Sequence, residues 1–348
     1  MYKQVNRIGF PFRFNDEIIL RRKVQEKFNQ ICLNALSSEI EIPLIEPLST
    51  VIGNGPKPLR ESHLNLVFHG LVFYENLSLA SAVRYEASSP IAEVAAAYDW
   101  NHCKALRFHY MQEMVRLENS SELSATRCRS FFQMGHERFT GEYDQNIQNL
   151  AESIAMMLEF FKVIGLPGYI TISHTSVSKY GLQSKEVDSA CRRRLIPLFE
   201  CEDSAEAYRT LAAMALPKKT DYFLKQVLRN KNVTIEQGWD FMKEIPELQS
   251  AAHEIKLLLL NLEKLGVKNS VLFDAGLHRS LNFYSGIVFQ AHLENVREVA
   301  GGGDFSISMQ SYECPRPIYC SGFAIGYERI AFALKQQDKK KEINNVIL

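Results

Sequence analysis

The sequence lacks several features that would fix its class at once. Its seven cysteines form no Cys-x-x-Cys pair, and their number is odd. This argues against a disulfide framework or a zinc ribbon and favours reduced thiols in a cytoplasmic compartment. No apolar run reaches the ~18 residues that a membrane helix needs. The N-terminus, MYKQVNRIGFPFRFNDE, is charged and has no continuous apolar stretch of the kind a secretion signal carries. No internal repeat is visible. Net charge is also missing, with 40 Lys plus Arg against 40 Asp plus Glu. The chain as a whole therefore has no general attraction for nucleic acid or an anionic membrane. His109 and His136 invite a metal reading, but no second ligand stands at metal spacing, so packed histidines and no metal site are expected.

What is present reads as an ordinary soluble globular protein. The chain has 348 residues, 46% hydrophobic and 23% charged, enough for one large domain or two. Asn15 to Leu36 has a helical apolar period, with Asn15 or Asp16 as its cap. EIEIPLIEPL, from Glu39 to Leu48, alternates like a strand, and Pro43 confines it to an edge, a bulge or an interface. Residues 51–69 read as a loop, Leu71 to Ala82 as a hairpin, and Pro90 to Tyr98 as a helix. A helix over Asp144 to Ile164 and a strand over Tyr169 to Ser173 follow. Residues 178–250 carry helical pieces and no strand pattern, and read as a helical insertion in a core formed by 1–177 and 251–340. Leu248 to Leu265 is helical, and Asn269 to Ala275, Leu281 to His292 and Phe305 to Met309 read as strands. The last helix begins after Gly326 and runs to about Gln337, and 341–348 close a charged, solvated tail. The class this implies is α+β, a mostly antiparallel sheet flanked by helices.

One stretch, Ala105 to Gly141, carries unusual chemistry. Leu106 to Glu118 places Arg116 and Glu118 on one strand face. Arg127 to Glu137 places Arg127, Arg129, Phe131, Gln133, Gly135 and Glu137 on one face of a second strand. Guanidinium groups suit phosphate, carboxylates suit an amine or a metal, and a Phe can stack on a base. A solvated face would show the same alternation. Cys128 lies between two arginines that would lower its pKa, or serves as a neutral strand residue facing inward. Two later stretches add weight to the site reading. LHRSLNFYSGIVFQAH puts Arg279 at the head of a strand. In SGFAIGYERIAFAL an apolar strand with Gly322 and Gly326 runs into a helix bearing Glu328 and Arg329. An Arg in a first helical turn lies against the dipole preference, as it would if it met phosphate.

Together these stretches resemble the class II aminoacyl-tRNA synthetases, and within them the histidyl-tRNA synthetase group. EIEIPLIEP looks like motif 1, VRLE followed by RCRSFFQMGHE like motif 2, and GFAIGYERIAFAL like motif 3. RYEAS is similar to the group's R-P-E-x-T turn, RSLNFYSGIVFQ to its R-G-L-D-Y-Y-T-G-x-V-F-E signature, and AGGGDFS to A-G-G-R-Y-D-G. The resemblance implies ATP with Mg2+, an amino-acid substrate, and a homodimer through the Pro43 strand. Arg116 would hold the α-phosphate, Glu118 would approach the adenine end, and Arg127 would be a further ATP-binding residue. Phe131 would stack under adenine, and Arg329 would cover it and reach the γ-phosphate. Glu86 would take the α-ammonium, with Ser88 beside it. Gln133, Glu137, Tyr284 and Asp304 would line the amino-acid pocket, and Arg279 would stabilise developing charge.

The chain also departs from the pattern. Motif 3 is followed by too little sequence for an anticodon-binding domain, and Asp304 and Gly303 replace the Tyr and Arg of A-G-G-R-Y-D-G. Asn282 replaces an acidic residue, and the motif 2 loop NSSELSAT lacks basic residues. These departures point away from free histidine and from tRNA. The expectation is an adenylate-forming ligase whose acceptor is a carrier protein or a small molecule. The alternative is a regulatory subunit like that of ATP phosphoribosyltransferase.

Overall fold

The architecture comes from a computed structural model, which describes residues 9–47, 72–76, 79–116, 118, 120–182, 187, 189–200, 204–214, 216–277, 284–294 and 296–347. The expected α1 forms over Asn15–Asn34 and buries Val24, Phe28 and Cys32, one turn apart. Two short strands follow, β1 (Ser38–Glu39) and β2 (Ile45–Pro47), then the hairpin β3 (Val72–Asn76) and β4 (Leu79–Val83). Helix α2 (Ser88–Ala96) leads to the long pair β5 (Ala105–Val115) and β6 (Ser130–Thr140). Helix α3 (Tyr143–Val163) and β7 (Gly168–His174) come next. Five helices then run in succession: α4 (Thr175–Leu182), α5 (Ser189–Glu200), α6 (Ser204–Ala212), α7 (Lys218–Arg229) and α8 (Ile235–Lys243). The chain ends with α9 (Gln249–Lys264), β8 (Val271–Phe273), β9 (Ile287–Leu293), β10 (Val296–Asp304), β11 (Tyr319–Gly326) and α10 (Tyr327–Ile347).

The main sheet has eight strands in the order β1-β5-β6-β11-β10-β9-β7-β8. All neighbours are antiparallel except β1 with β5 and β7 with β8. The side-chain period of two gives this sheet two different faces. On one face Phe108, Tyr110, Met114, Phe139 and Cys320 pack against Ile91 and Ala95 of α2. On the other Met111, Met134, Phe323 and Phe289 pack against Phe28 of α1 and Ile154, Met157 and Phe160 of α3. Helices α5 to α8 add Leu195, Leu211, Phe223 and Ile235 to the second cluster. A fully buried side chain of this kind contributes roughly 1.5–3 kcal/mol.

Several elements differ from the sequence expectation. Pro43, which has no N–H to donate, interrupts the strand expected over Glu39–Leu48 and leaves β1 and β2 in different sheets. The cap of α1 is Phe14, with no side-chain hydrogen bond, rather than Asn15 or Asp16. Strand β5 ends at Val115 and β6 begins at Ser130, so Arg116, Glu118, Arg127 and Arg129 lie on the connection. Phe305–Met309 is not a strand: Ser306–Ser311 forms a 3-10 turn, started by the Asp304 carboxylate accepting from the Ser306 amide. Strand β10 was not expected, because its Ala-Gly-Gly-Gly run has no branched side chains to mark it. Helix α10 continues through the charged stretch to Ile347. The expected loop at 51–69 lies outside the described residues. Among the described residues no helix is long and apolar enough to cross a membrane, and no disulfide forms.

Candidate functional site

The Arg84–Ser88 turn between β4 and α2 is fastened to the end of β5. The Arg84 Nε donates to the Glu113 carbonyl at 2.9 Å, and the Val115 amide donates to the Arg84 carbonyl at 3.2 Å. This sets Glu86 at the start of α2, where its carboxylate accepts from the Ser88 amide (2.5 Å) and the Ser89 amide (3.1 Å). A carboxylate there also meets the positive end of the helix dipole. The Ser88 hydroxyl then donates to Glu137 Oε1 of β6 at 2.8 Å.

Glu137 is 1% exposed, and its Oε2 has no hydrogen-bond partner. Gly322 stands directly across from it on β11, and a Cβ at that position would overlap this oxygen. Burial pushes the Glu137 carboxyl well above the usual carboxylate range; the Ser88 hydrogen bond opposes this and the Glu86 charge adds to it. Burial raises the Glu86 carboxyl too, against its hydrogen bonds from Ser89 and Ser88 and the Arg116 charge. Beside them, the Tyr110 hydroxyl donates to Gln133 Oε1 at 3.2 Å.

Arg116 joins this acidic corner to an aromatic surface. Its Nε donates to the Tyr85 carbonyl at 2.9 Å, and its guanidinium lies 5.0 Å from the Phe131 ring centroid. Burial disfavours its charge, while Glu118, Tyr85 and Glu86 favour it. On the connection, Arg127 pairs with Glu118 (2.8 Å) and Glu122 (2.9 Å). Arg329, in the first turn of α10, donates to the Glu298 carbonyl and lies 3.8 Å from the Glu298 carboxylate. The Glu298 charge also raises the Arg127 pKa, though less than Glu118 and Glu122 do, so Arg127 and Arg329 share one acidic neighbour.

The structure thus joins Glu86, Ser88 and Glu137 directly, sets Arg116 over Phe131, and ties Glu118 to Arg127. Asp304 is held differently. Its carboxylate accepts from Asn146 Nδ2 of α3 and from the Ser285 hydroxyl, both at 2.7 Å, and burial raises its pKa. Tyr284 precedes Ser285 and lies within electrostatic range of Tyr110. Arg279 lies outside the described residues. Sequence reasoning missed Glu298, whose strand was not expected. It also assigned no role to Glu328 or Arg13, which pair at 2.6 Å.

The two histidines lie on the other face of the sheet. His136 is buried and stacked on Phe323 with centroids 5.9 Å apart, and His109 Nδ1 is 3.1 Å from the Ser37 hydroxyl. Among the described residues no three His, Cys, Asp or Glu side chains gather into a metal-binding group. The Cys128 thiol is raised by burial and by Glu328, against Arg13, rather than lowered by its sequence neighbours.

The family model described as histidyl-tRNA synthetase matches residues 39–330. A histidine–tRNA ligase of Methanococcus maripaludis is 24% identical over 333 residues, spanning 94% of this chain and 75% of that protein. An ATP phosphoribosyltransferase regulatory subunit of Halothermothrix orenii is 26% identical over 308 residues, spanning 86% of this chain and 70% of that protein. Among solved structures, an ATP phosphoribosyltransferase regulatory subunit/histidyl-tRNA synthetase from Bacillus halodurans superposes with a TM-score of 0.75 at 18% identity, covering 96% of this chain and 84% of that one. A histidine–tRNA ligase subunit from Alicyclobacillus acidocaldarius gives 0.73 at 16% identity, covering 97% and 99%. At these identities the structural likeness shows the shared fold.

Proposed function

The chain belongs to the histidyl-tRNA synthetase family, and from that premise we propose that it activates an amino acid with ATP and passes it to an acceptor other than tRNA. One observation carries this reading. The buried carboxyls Glu86 and Glu137, linked through Ser88, stand beside Arg116, whose guanidinium lies over the half-buried Phe131 ring. Glu86 receives the α-ammonium, with Ser88 holding the two carboxyls apart. Gln133, Glu137 and Tyr284 line the side-chain pocket, and Asp304 fixes its end through Ser285. Phe131 stacks under adenine and Arg116 neutralises the α-phosphate as the substrate carboxylate attacks the α-phosphorus and the bond to the bridging oxygen breaks, releasing pyrophosphate. Such a step needs positioning and charge neutralisation more than protein-borne chemistry. Arg127 and Arg329 exchange their carboxylate partners for the outer phosphates, and Arg279 is a further cation for the reaction centre. Mg2+ takes oxygen ligands, usually one or two carboxylates plus phosphate, and would shield phosphate charge. Glu118 and Glu298, the carboxylates beside the two outer arginines, are the protein oxygens that would hold it.

The argument against tRNA is electrostatic. The β5–β6 connection offers Ser120, Glu122, Ser124 and Thr126; its Arg127 pairs with Glu118 and Glu122 and faces the ATP half of the site, and its Arg129 donates to the Glu118 carbonyl and the Ser120 hydroxyl. Phosphate backbones are held by uncompensated Lys and Arg. A carrier protein or a small molecule is the acceptor that this loop suits. Exposed Leu44 and Ile45, beside Pro43, are the surface through which we propose that two copies pair.

A second reading, a non-catalytic regulatory subunit of ATP phosphoribosyltransferase, is favoured by one feature. Both outer arginines are satisfied internally by carboxylates, as suits a protein that binds an amino acid without ATP. Pyrophosphate exchange with ATP, Mg2+ and single amino acids separates the two. Exchange supported by one amino acid is expected; silence across the set, with an amino acid still bound, selects the regulatory reading.

A further inference from the structure

Residues 9–13 lie against the start of β6. The Gly9 carbonyl accepts from the Arg129 amide at 2.8 Å and the Ser130 amide at 3.2 Å. Gly9 has φ +82, and a Cβ there would press on the Arg129 side chain at 2.8 Å, so the approach requires glycine. Four residues on, Arg13 Nη2 reaches Glu328 Oε1 at 2.6 Å and the Ser130 carbonyl at 3.4 Å. Its Nη1 is 3.7 Å from Glu113 of β5, and its guanidinium sits 4.9 Å from the Phe132 ring centroid. Glu328 Oε2 in turn accepts from the Phe132 amide at 3.0 Å.

One guanidinium therefore ties together the last residues of β5, the first residues of β6 and the first turn of α10. Neighbouring strand residues point to opposite faces. Ser130 and Phe132 meet Arg13, while Phe131 between them joins the cluster that contains Tyr110. Glu328 meets Arg13, and Arg329 after it turns to Glu298. The side chains are 16% and 11% exposed for Arg13 and Glu328, so water screens this pair only weakly. Arg13 touches none of the residues assigned to ATP, yet it fixes the backbone on which two of them stand.

We propose that Arg13 is a positioning residue for the nucleotide half of the site, acting through Glu328 to hold Phe131 and Arg329 at a fixed separation. This rests on the ATP-binding reading above. The test uses the full chain, with fluorescent methylanthraniloyl-ATP and Mg2+ as probe, in wild type, Arg13→Lys, Arg13→Gln, Glu328→Gln and the Arg13→Gln/Glu328→Gln double variant. Each Gln variant should weaken binding about tenfold, Arg13→Lys should recover part of it, and the double variant should be no worse than either single one. A Kd unchanged in Arg13→Gln, or losses that simply add, would overturn the proposal. Amide exchange at Arg129, Ser130 and Phe132 is read in parallel. If wild type binds no ATP, the nucleotide reading fails on its own. The strap is then judged by exchange: faster exchange at all three amides in Arg13→Gln retains it, and unchanged exchange removes it.

Discussion

The Ser88 hydroxyl donates to the Glu137 carboxylate across 2.8 Å, joining the first turn of α2 to the middle of β6. Glu86, two residues back, is tied to the same turn. Two buried carboxyls thus share one small corner with Arg116 as the nearby cation, an arrangement that costs free energy unless a second cation arrives.

Binding of an ammonium group there should release a proton. The Glu137 carboxyl is raised well above its usual range, so in the ligand-free protein it tends to stay protonated, and a cation favours its ionised form. Amino-acid affinity should therefore rise with pH through the folded-state value. Calorimetric titration in buffers of different ionisation enthalpy reads this directly, and the buffer dependence should shrink in Glu137→Gln, leaving the share of Glu86, whose carboxyl burial also raises. Stability runs the other way: a raised carboxyl contributes fully below the unfolded value and loses its contribution as pH rises through the folded one.

Phe131→Ala should weaken ATP binding by roughly 1–3 kcal/mol, the usual worth of a base stacked on an aromatic ring. Arg116→Ala should weaken it further, because Arg116 lies over the same ring. Neither change should alter amino-acid affinity by a comparable amount. Equal losses for both ligands would show that the two halves are not separable.

Gly322→Ala should damage the corner from outside it. The added methyl would overlap Glu137 Oε2 and press on the His136 carbonyl at 2.6 Å. Overpacking of this kind costs about 1–3 kcal/mol. Thermal melting should show that loss, and amino-acid binding should fall with it while ATP binding survives.

His136→Leu should leave the protein as stable or make it more so. Both ring nitrogens of His136 are buried without partners. An unsatisfied buried polar group costs about 1–3 kcal/mol, which an apolar side chain of similar size avoids. Burial and the Arg138 charge hold the ring well below its usual 6.5. The unfolded chain then binds the proton first, so stability is complete above about 6.5 and declines as pH falls. Melting curves from pH 8 to 5 should show a shallower acid decline in the variant.

Much of this was legible in the sequence where side-chain period and chemistry agreed. The α1 period, the β3–β4 hairpin and the β5–β6 pair all announce themselves by alternation or by a 3.6-residue repeat. Glu137, Arg116 and Phe131 stood out because charge and a ring on a strand face are hard to explain as core, whereas Glu86 was singled out by the likeness of RYEAS to the R-P-E-x-T turn. What escaped was set by tertiary contacts. In β10 the run Gly301–Gly303 interrupts the strand signal after Val296–Val299, and with the strand went Glu298. Arg13 gave no signal because its partner, Glu328, lies 315 residues away. The 3-10 turn after Asp304 looked like a strand because Phe305, Ile307 and Met309 alternate, yet the Asp304 carboxylate captures the Ser306 amide first.

The most direct test is a crystal of the full chain soaked with ATP, Mg2+ and a pool of amino acids. The account predicts density for an aminoacyl-adenylate, its ammonium on Glu86, its phosphate on Arg116 and its adenine against Phe131. An amino acid bound at Glu86 with no nucleotide on Phe131, at saturating ATP, would contradict it.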